Sequence, residues 1–159
     1  MLAGVPIKAV YTSPLERAFE TAEPLARSRG IDPQVVEDLG ELRVGEWEGK
    51  SFAELEGGSE WLAYNRARSS VRPPGGELTI ECQTRMVRTV ECLVRAHSEE
   101  CIAIVSHADP IRLLLCHFLG VPMDLLLRLE IGPASVSAVE VASWGPRVLC
   151  MNRMEELPG

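Results

Sequence analysis

Apolar residues along the chain fall into runs of distinct kinds, and each kind predicts an element. "IKAVYT" (7–12) has strand composition, and "CIAIVS" (101–106) is a short unbroken apolar stretch of the sort buried in a parallel sheet. In "SPLERAFETAEPLARSRG" (13–30), Leu15, Ala18, Phe19, Ala22, Leu25 and Ala26 recur at helical spacing, with Ser13 as N-cap, Pro14 in the first turn and Gly30 as the stop. Residues 78–98 set Ile80, Cys82, Met86, Val90, Leu93, Val94 and Ala96 among Arg and Glu, which predicts a long amphipathic helix. "PIRLLLCHFLG" (110–120) opens on Pro and closes on Gly, as a helix does. Residues 51–68 read as two helical pieces broken at "GGS", and "PQVVEDL" (33–39) as a short strand. Period-two alternation marks "SVSAVEVAS" (135–143), which the turn "WGP" joins to "RVLCMN" (147–152) in a hairpin. Segments 40–51 and 69–77 are Gly- and Pro-punctuated loops, and the tail "RMEELPG" is polar.

The order β, α, β, α, α, β, α, β, β predicts an α/β fold with helices on both faces of a mostly parallel sheet. With 159 residues, 46% hydrophobic and no internal repeat, the whole of 1–159 is expected to form one domain.

Charge and cysteine usage narrow the function. A formal net charge of −7 argues against a broad electrostatic hold on nucleic acid or an anionic membrane, so an anionic ligand needs a local positive pocket. No run approaches the roughly 18 apolar residues of a membrane span, and the N-terminus has no signal-peptide pattern. The five cysteines form no C-x-x-C pair, which fits a reduced, cytoplasmic protein without a zinc site.

His107 stands just past the predicted strand at 101–106 and just before a helix, where open α/β sheets keep their ligands. Position alone leaves it equally a capping or packing histidine. His97, near a helix end, reads as a dipole-complementing surface residue, and His117, among leucines, as a core histidine. Arg17 is either a solvated charge or, with its planar fork at a helix start, a phosphate ligand. Glu41, with Asp38, Glu46 and Glu48 around the Gly-rich loop, is either ordinary surface acid or a general acid and base.

"YTSPLERAFETAEPLA", "GELRVGEWEG", "PPGGE" and "VSHADPIR" resemble, in order and spacing, the histidine phosphatase superfamily, also called phosphoglycerate-mutase-like. The resemblance extends over essentially the whole chain. It implies a three-layer α/β sandwich that moves a phosphoryl group onto a histidine and then to water or another hydroxyl, with no metal or cofactor. Carried onto this sequence, it makes Arg17 the phosphate clamp and Glu41 the proton donor to the leaving oxygen. His107 becomes the assisting histidine that donates to the phosphoryl oxygens, beside the backbone N–H of Ala108. The ligand implied is a small phosphorylated substrate or inorganic phosphate. Trp61, Tyr64 and Arg66 fall in the family's variable helical insertion, where they line the remaining pocket or simply pack and face solvent.

The resemblance also exposes a departure. The family's nucleophile belongs to an Arg-His-Gly motif ending the first strand, and no such tripeptide occurs here. Met1 aligns where relatives finish their first helix, so the expected fold is N-terminally truncated and lacks its first strand. An uncovered sheet edge should follow, open to homodimer pairing. The reading is therefore a histidine-phosphatase-type phosphomonoesterase acting on a small phosphorylated metabolite, incomplete as written. The alternatives are a non-catalytic remnant that binds phosphorylated ligands or a protein partner, and a phosphoglycerate-mutase-type phosphotransferase. The short stretch between "GEWEG" and "PPGGE" disfavours the mutase.

Overall fold

The strand predicted first lies at the centre of the structure, a computed structural model that describes residues 2–154. In chain order the elements are β1 (Ile7–Thr12), α1 (Glu16–Arg27), β2 (Gln34–Val35), α2 (Phe52–Leu55), α3 (Ser59–Arg66), α4 (Thr79–Ala96), β3 (Cys101–Val105), α5 (Ala108–Leu119), β4 (Val136–Ala142) and β5 (Gly145–Arg153). Every residue of β1 except Lys8 is buried, because both of its faces are covered. Ile7 and Val10 pack with Ala22 and Ala26 of α1. Ala9 and Tyr11 join Met86 of α4 and Leu113 and Cys116 of α5 in a larger cluster on the other side. Helices thus flank the sheet in three layers.

The sheet is parallel, in the order β2-β1-β3, with Tyr11 opposite both Gln34 and Ile104. The hairpin is present as predicted, but β4 and β5 form a separate antiparallel pair. As the end strand of its sheet, β3 is only half-buried at Ile102–Val105 and exposed at Cys101. This corrects the expectation of a fully buried strand. An apolar run reads alike in the middle and at the rim of a sheet, and only pairing distinguishes the two.

Several boundaries and burials also differ from the sequence reading. The first helix begins at Glu16 rather than next to Ser13, because Ser13 prolongs β1 by donating its N–H to the Val105 carbonyl. Its buried stripe is the narrow Ala18, Ala22, Ala26, which leaves Leu15 and Phe19 partly in solvent. The second strand shrinks to Gln34–Val35, since a 3-10 turn over Glu37–Leu39 swings Leu39 into the core. The buried positions of α4, Thr79, Cys82, Met86 and Val90, put Ile80 outside the stripe. His117 is exposed beside Phe118 and is not a core residue, because the buried face of α5 is set by Pro110, Leu113 and Cys116. That helix starts at Ala108, two residues ahead of Pro110, and stops at Gly120, whose φ of 66° suits glycine.

Residues 51–66 do form two helical pieces, and Tyr64 buries its ring in edge contact with Trp47, which also meets Trp61. Among the described residues no helix is long and apolar enough to cross a membrane. Met1 and most of the polar tail, residues 155–159, lie outside the described residues.

Candidate active site

Parallel pairing decides where the candidate residues meet. Thr12 and Val105 are partners at the carboxyl ends of β1 and β3, so the segments leading into α1 and α5 start side by side. Arg17 stands in the first turn of α1, His107 is the extended residue capping α5, and Ala108 is that helix's first residue. The N–H of Ala108 therefore has no partner inside the helix. Glu41 arrives from the loop after β2. Its Oε2 lies 3.7 Å from Arg17 Nη2 and 3.7 Å from His107 Nδ1. The candidates singled out in the sequence, Arg17, Glu41, His107 and its neighbour Ala108, are thus gathered at one place. The His107 side chain is 5% exposed and that of Arg17 62%, which gives the site a buried floor and an open mouth.

The Glu41 loop is held by a residue that the sequence reading did not single out. Arg85 of α4 donates Nη1 to the carbonyls of Asp38 (2.6 Å) and Gly40 (2.9 Å) and Nη2 to that of Glu41 (3.0 Å). Nη2 also meets Glu77 Oε1 at 2.7 Å in a pair whose side chains are only 11% and 9% exposed. Glu77, the acid of "PPGGE", accepts the Arg43 N–H at 3.0 Å, so it ties one loop to the other. The two loops touch backbone to backbone. A Cβ on Gly45, at φ +59°, would fall 2.2 Å from the Pro74 carbonyl oxygen, and one on Gly76 2.5 Å from that of Arg43. Such contact requires glycine. Arg85 escaped notice because its partners are main-chain carbonyls, which have no signature in sequence. Its place beside Met86 and three residues after Cys82, on the border of the buried stripe, was the available hint.

Electrostatics tune the cluster. Burial holds the Glu41 carboxyl above its ordinary value, and Asp109 adds to this, against the Leu42 N–H hydrogen bond and the charges of Arg17 and Arg85. Burial, then Arg17 and Arg85, push the His107 imidazole down to about 4, so it is neutral near pH 7. Burial alone would raise Glu77, but its hydrogen bonds with Arg85 and the Arg43 N–H outweigh it, and the net shift is downward. Asp109, in the first turn of α5, is gripped by Arg68 (3.1 Å) and Arg112 (2.9 Å), which offsets its charge near the site.

The cluster presents hydrogen-bond donors around one carboxyl, an arrangement suited to an anion with a transferable proton nearby. Among the described residues no group of three His, Cys, Asp or Glu converges as a metal site. Burial pushes the Cys82 thiol up to about 12, which makes it a poor nucleophile. The His97 ring nitrogens lie within hydrogen-bond distance of the Tyr11 hydroxyl (Nε2, 2.7 Å) and of Glu100 (Nδ1, 2.8 Å), so it is braced at the helix end rather than freely solvated. Of the insertion residues, Tyr64 is buried, Arg66 is exposed, and Trp61 borders a cleft of about 250 Å³ with Trp47, Glu54 and Glu60.

The family profile described as the histidine phosphatase superfamily (branch 1) matches residues 1–154. The chain belongs to this superfamily. It is 36% identical over 139 residues to the Bifunctional protein Rv2228c of Mycobacterium tuberculosis, a match covering 84% of the chain and 37% of the relative. The chain therefore spans little more than a third of that relative's length. The adenosylcobalamin/alpha-ribazole phosphatase of Escherichia coli is 26% identical over 143 residues, covering 89% of the chain and 70% of the relative. Among solved structures, Bacillus stearothermophilus YhfR superposes with a TM-score of 0.90 at 29% identity, over 97% of this chain and 78% of that one. The three-layer fold of this histidine phosphatase relative is thus shared with a solved structure.

Proposed function

We propose that the chain binds the phosphoryl group of a small phosphorylated metabolite through Arg17, His107 and the Ala108 N–H, and serves its hydrolysis by histidine-phosphatase chemistry. The observation that carries this reading is the convergence of Arg17 and His107 on one Glu41 oxygen, each at 3.7 Å. The upward shift of Glu41 favours its protonated form, which suits a proton donor to the leaving oxygen as the phosphorus–oxygen bond breaks. The attacking imidazole is not one of these groups, and no Arg-His-Gly occurs in the 159 residues. We place it on a segment outside this sequence that adds to the free edge of β3. A parallel strand there would end level with Thr12 and Val105, beside His107. The phosphohistidine formed would then be cleaved by water. Hydrolysis is preferred to mutase chemistry by the short stretch between "GEWEG" and "PPGGE".

The open edge of β3 favours a second reading, a non-catalytic phosphate-binding chain that pairs with a second copy there. Turnover of p-nitrophenyl phosphate separates the two readings. The chain alone should show none, and an added upstream segment carrying Arg-His-Gly should create activity that His107→Ala then removes. Turnover by the chain alone, lost in His107→Ala, would refute the need for a second histidine. Phosphate binding without turnover in either form, with a dimer in light scattering, would establish the second reading.

A further inference from the structure

Ser13 makes a contact that the motif reading leaves unused. It is fully buried between β1 and α1, and its Oγ has two partners. The Leu15 N–H donates to it at 3.2 Å, and His107 Nε2 lies 2.8 Å away. A hydroxyl has one proton to give, and a neutral imidazole has one N–H and one bare nitrogen. Two arrangements are therefore open.

In the first, Nε2–H donates to Ser13. The serine proton is then left without an acceptor among the described residues, and a bare Nδ1 stands 3.7 Å from Glu41 Oε2. In the second, the Ser13 O–H donates to Nε2 and the ring proton sits on Nδ1, directed to the Glu41 side. Only the second arrangement gives the buried Ser13 hydroxyl an acceptor, and the tautomer of a histidine follows the bond made by its other nitrogen.

We infer that Ser13 is a positioning residue that locks His107 in the Nδ1–H tautomer, so that a neutral N–H donor points at the space shared with Arg17 and Glu41. The consequence for phosphate rests on the function proposed above, whereas the tautomer rests on geometry alone. A neutral donor bonds a phosphoryl oxygen without itself carrying a charge into the buried floor. The Glu41 side chain is then free to keep or release its own proton. In the opposite tautomer the site would present a lone pair to an incoming anion.

Nitrogen-15 ring correlations of histidine-labelled protein read this directly, with the His107 signals assigned by their loss in His107→Asn. Near pH 7 the wild-type chain should show His107 Nδ1 as pyrrole-type and Nε2 as pyridine-type. Ser13→Ala should shift the ring toward the Nε2–H form and weaken inorganic phosphate binding about fivefold, while Ser13→Thr, which keeps the hydroxyl, should retain the wild-type pattern. If Ser13→Ala does not fold, Ser13→Cys, with a weaker donor, should move the ring the same way. A pyrrole-type Nε2 in the wild type, or an unchanged Nδ1–H form without the hydroxyl, would overturn the inference. The spectra need no turnover and no ligand, so a chain that fails to bind phosphate would refute the proposed function without altering this outcome.

Discussion

The loop carrying Glu41 and the strand leading to His107 approach the same ends of β1, yet they are held in different ways. The loop is fixed by charge and backbone: Arg85 caps three of its carbonyls while bonded to Glu77, and Gly45 rests against the Pro74 carbonyl without room for a methyl group. Among the described residues β3 is paired on one side only, and the β4–β5 hairpin stands as its own sheet, with Val141 at 45% and Leu149 at 58% exposure. One region is tied by buried polar contacts, and the other is, among the described residues, a half-buried sheet rim and a partly exposed hairpin. The difference teaches that a loop carrying a candidate site residue can be braced independently of the strand at the rim of the sheet.

Mutations should reproduce this contrast. The largest loss is expected for Arg85→Met, which strands the buried Glu77 carboxylate and frees the Asp38, Gly40 and Glu41 carbonyls. Breaking a buried pair from one side costs about 3–5 kcal/mol, to be read as a lower midpoint in urea unfolding. Gly45→Ala comes next, at about 3 kcal/mol, because a left-handed φ and immovable backbone atoms are both violated.

A smaller effect belongs to pH. The folded His107 titrates at about 4 instead of 6.5, so the unfolded chain takes up its proton first as pH falls. Stability should decline from pH 6.5 toward 4, by about 3 kcal/mol for this group alone. Glu41 acts in the opposite sense. Its folded value is raised above 4.5, so the folded chain protonates first and recovers part of the loss. Unfolding midpoints across this window should flatten in His107→Asn. At the small end, Leu149→Ser on the open hairpin should change stability by no more than about 0.5 kcal/mol in the same assay. A large loss there would mean that the hairpin face is covered after all.

Much of this architecture was legible in the sequence. The amphipathic period of α4, the strand, turn and helix around His107, and the hairpin alternation each report a local pattern, and local patterns survive folding. Arg17 and Glu41 were visible only through linked motifs, because a lone Arg in a first turn and one of several loop acids have no distinguishing period. The roles of Arg85 and Glu77, and of Ser13 beyond the N-cap expected of it, were not legible for a different reason: their partners are carbonyls, a distant arginine and a ring nitrogen brought near by topology. His117 shows how fine the margin is, since one step around α5 from Cys116 moves a side chain from the core to solvent.

Binding of inorganic phosphate to the chain, followed by isothermal titration calorimetry alongside Arg17→Ala, tests the central claim most directly. The account predicts saturable one-to-one binding that Arg17→Ala weakens by about tenfold to a hundredfold, the scale of a lost charge-assisted hydrogen bond. Absent binding, or equal binding by Arg17→Ala, would contradict it.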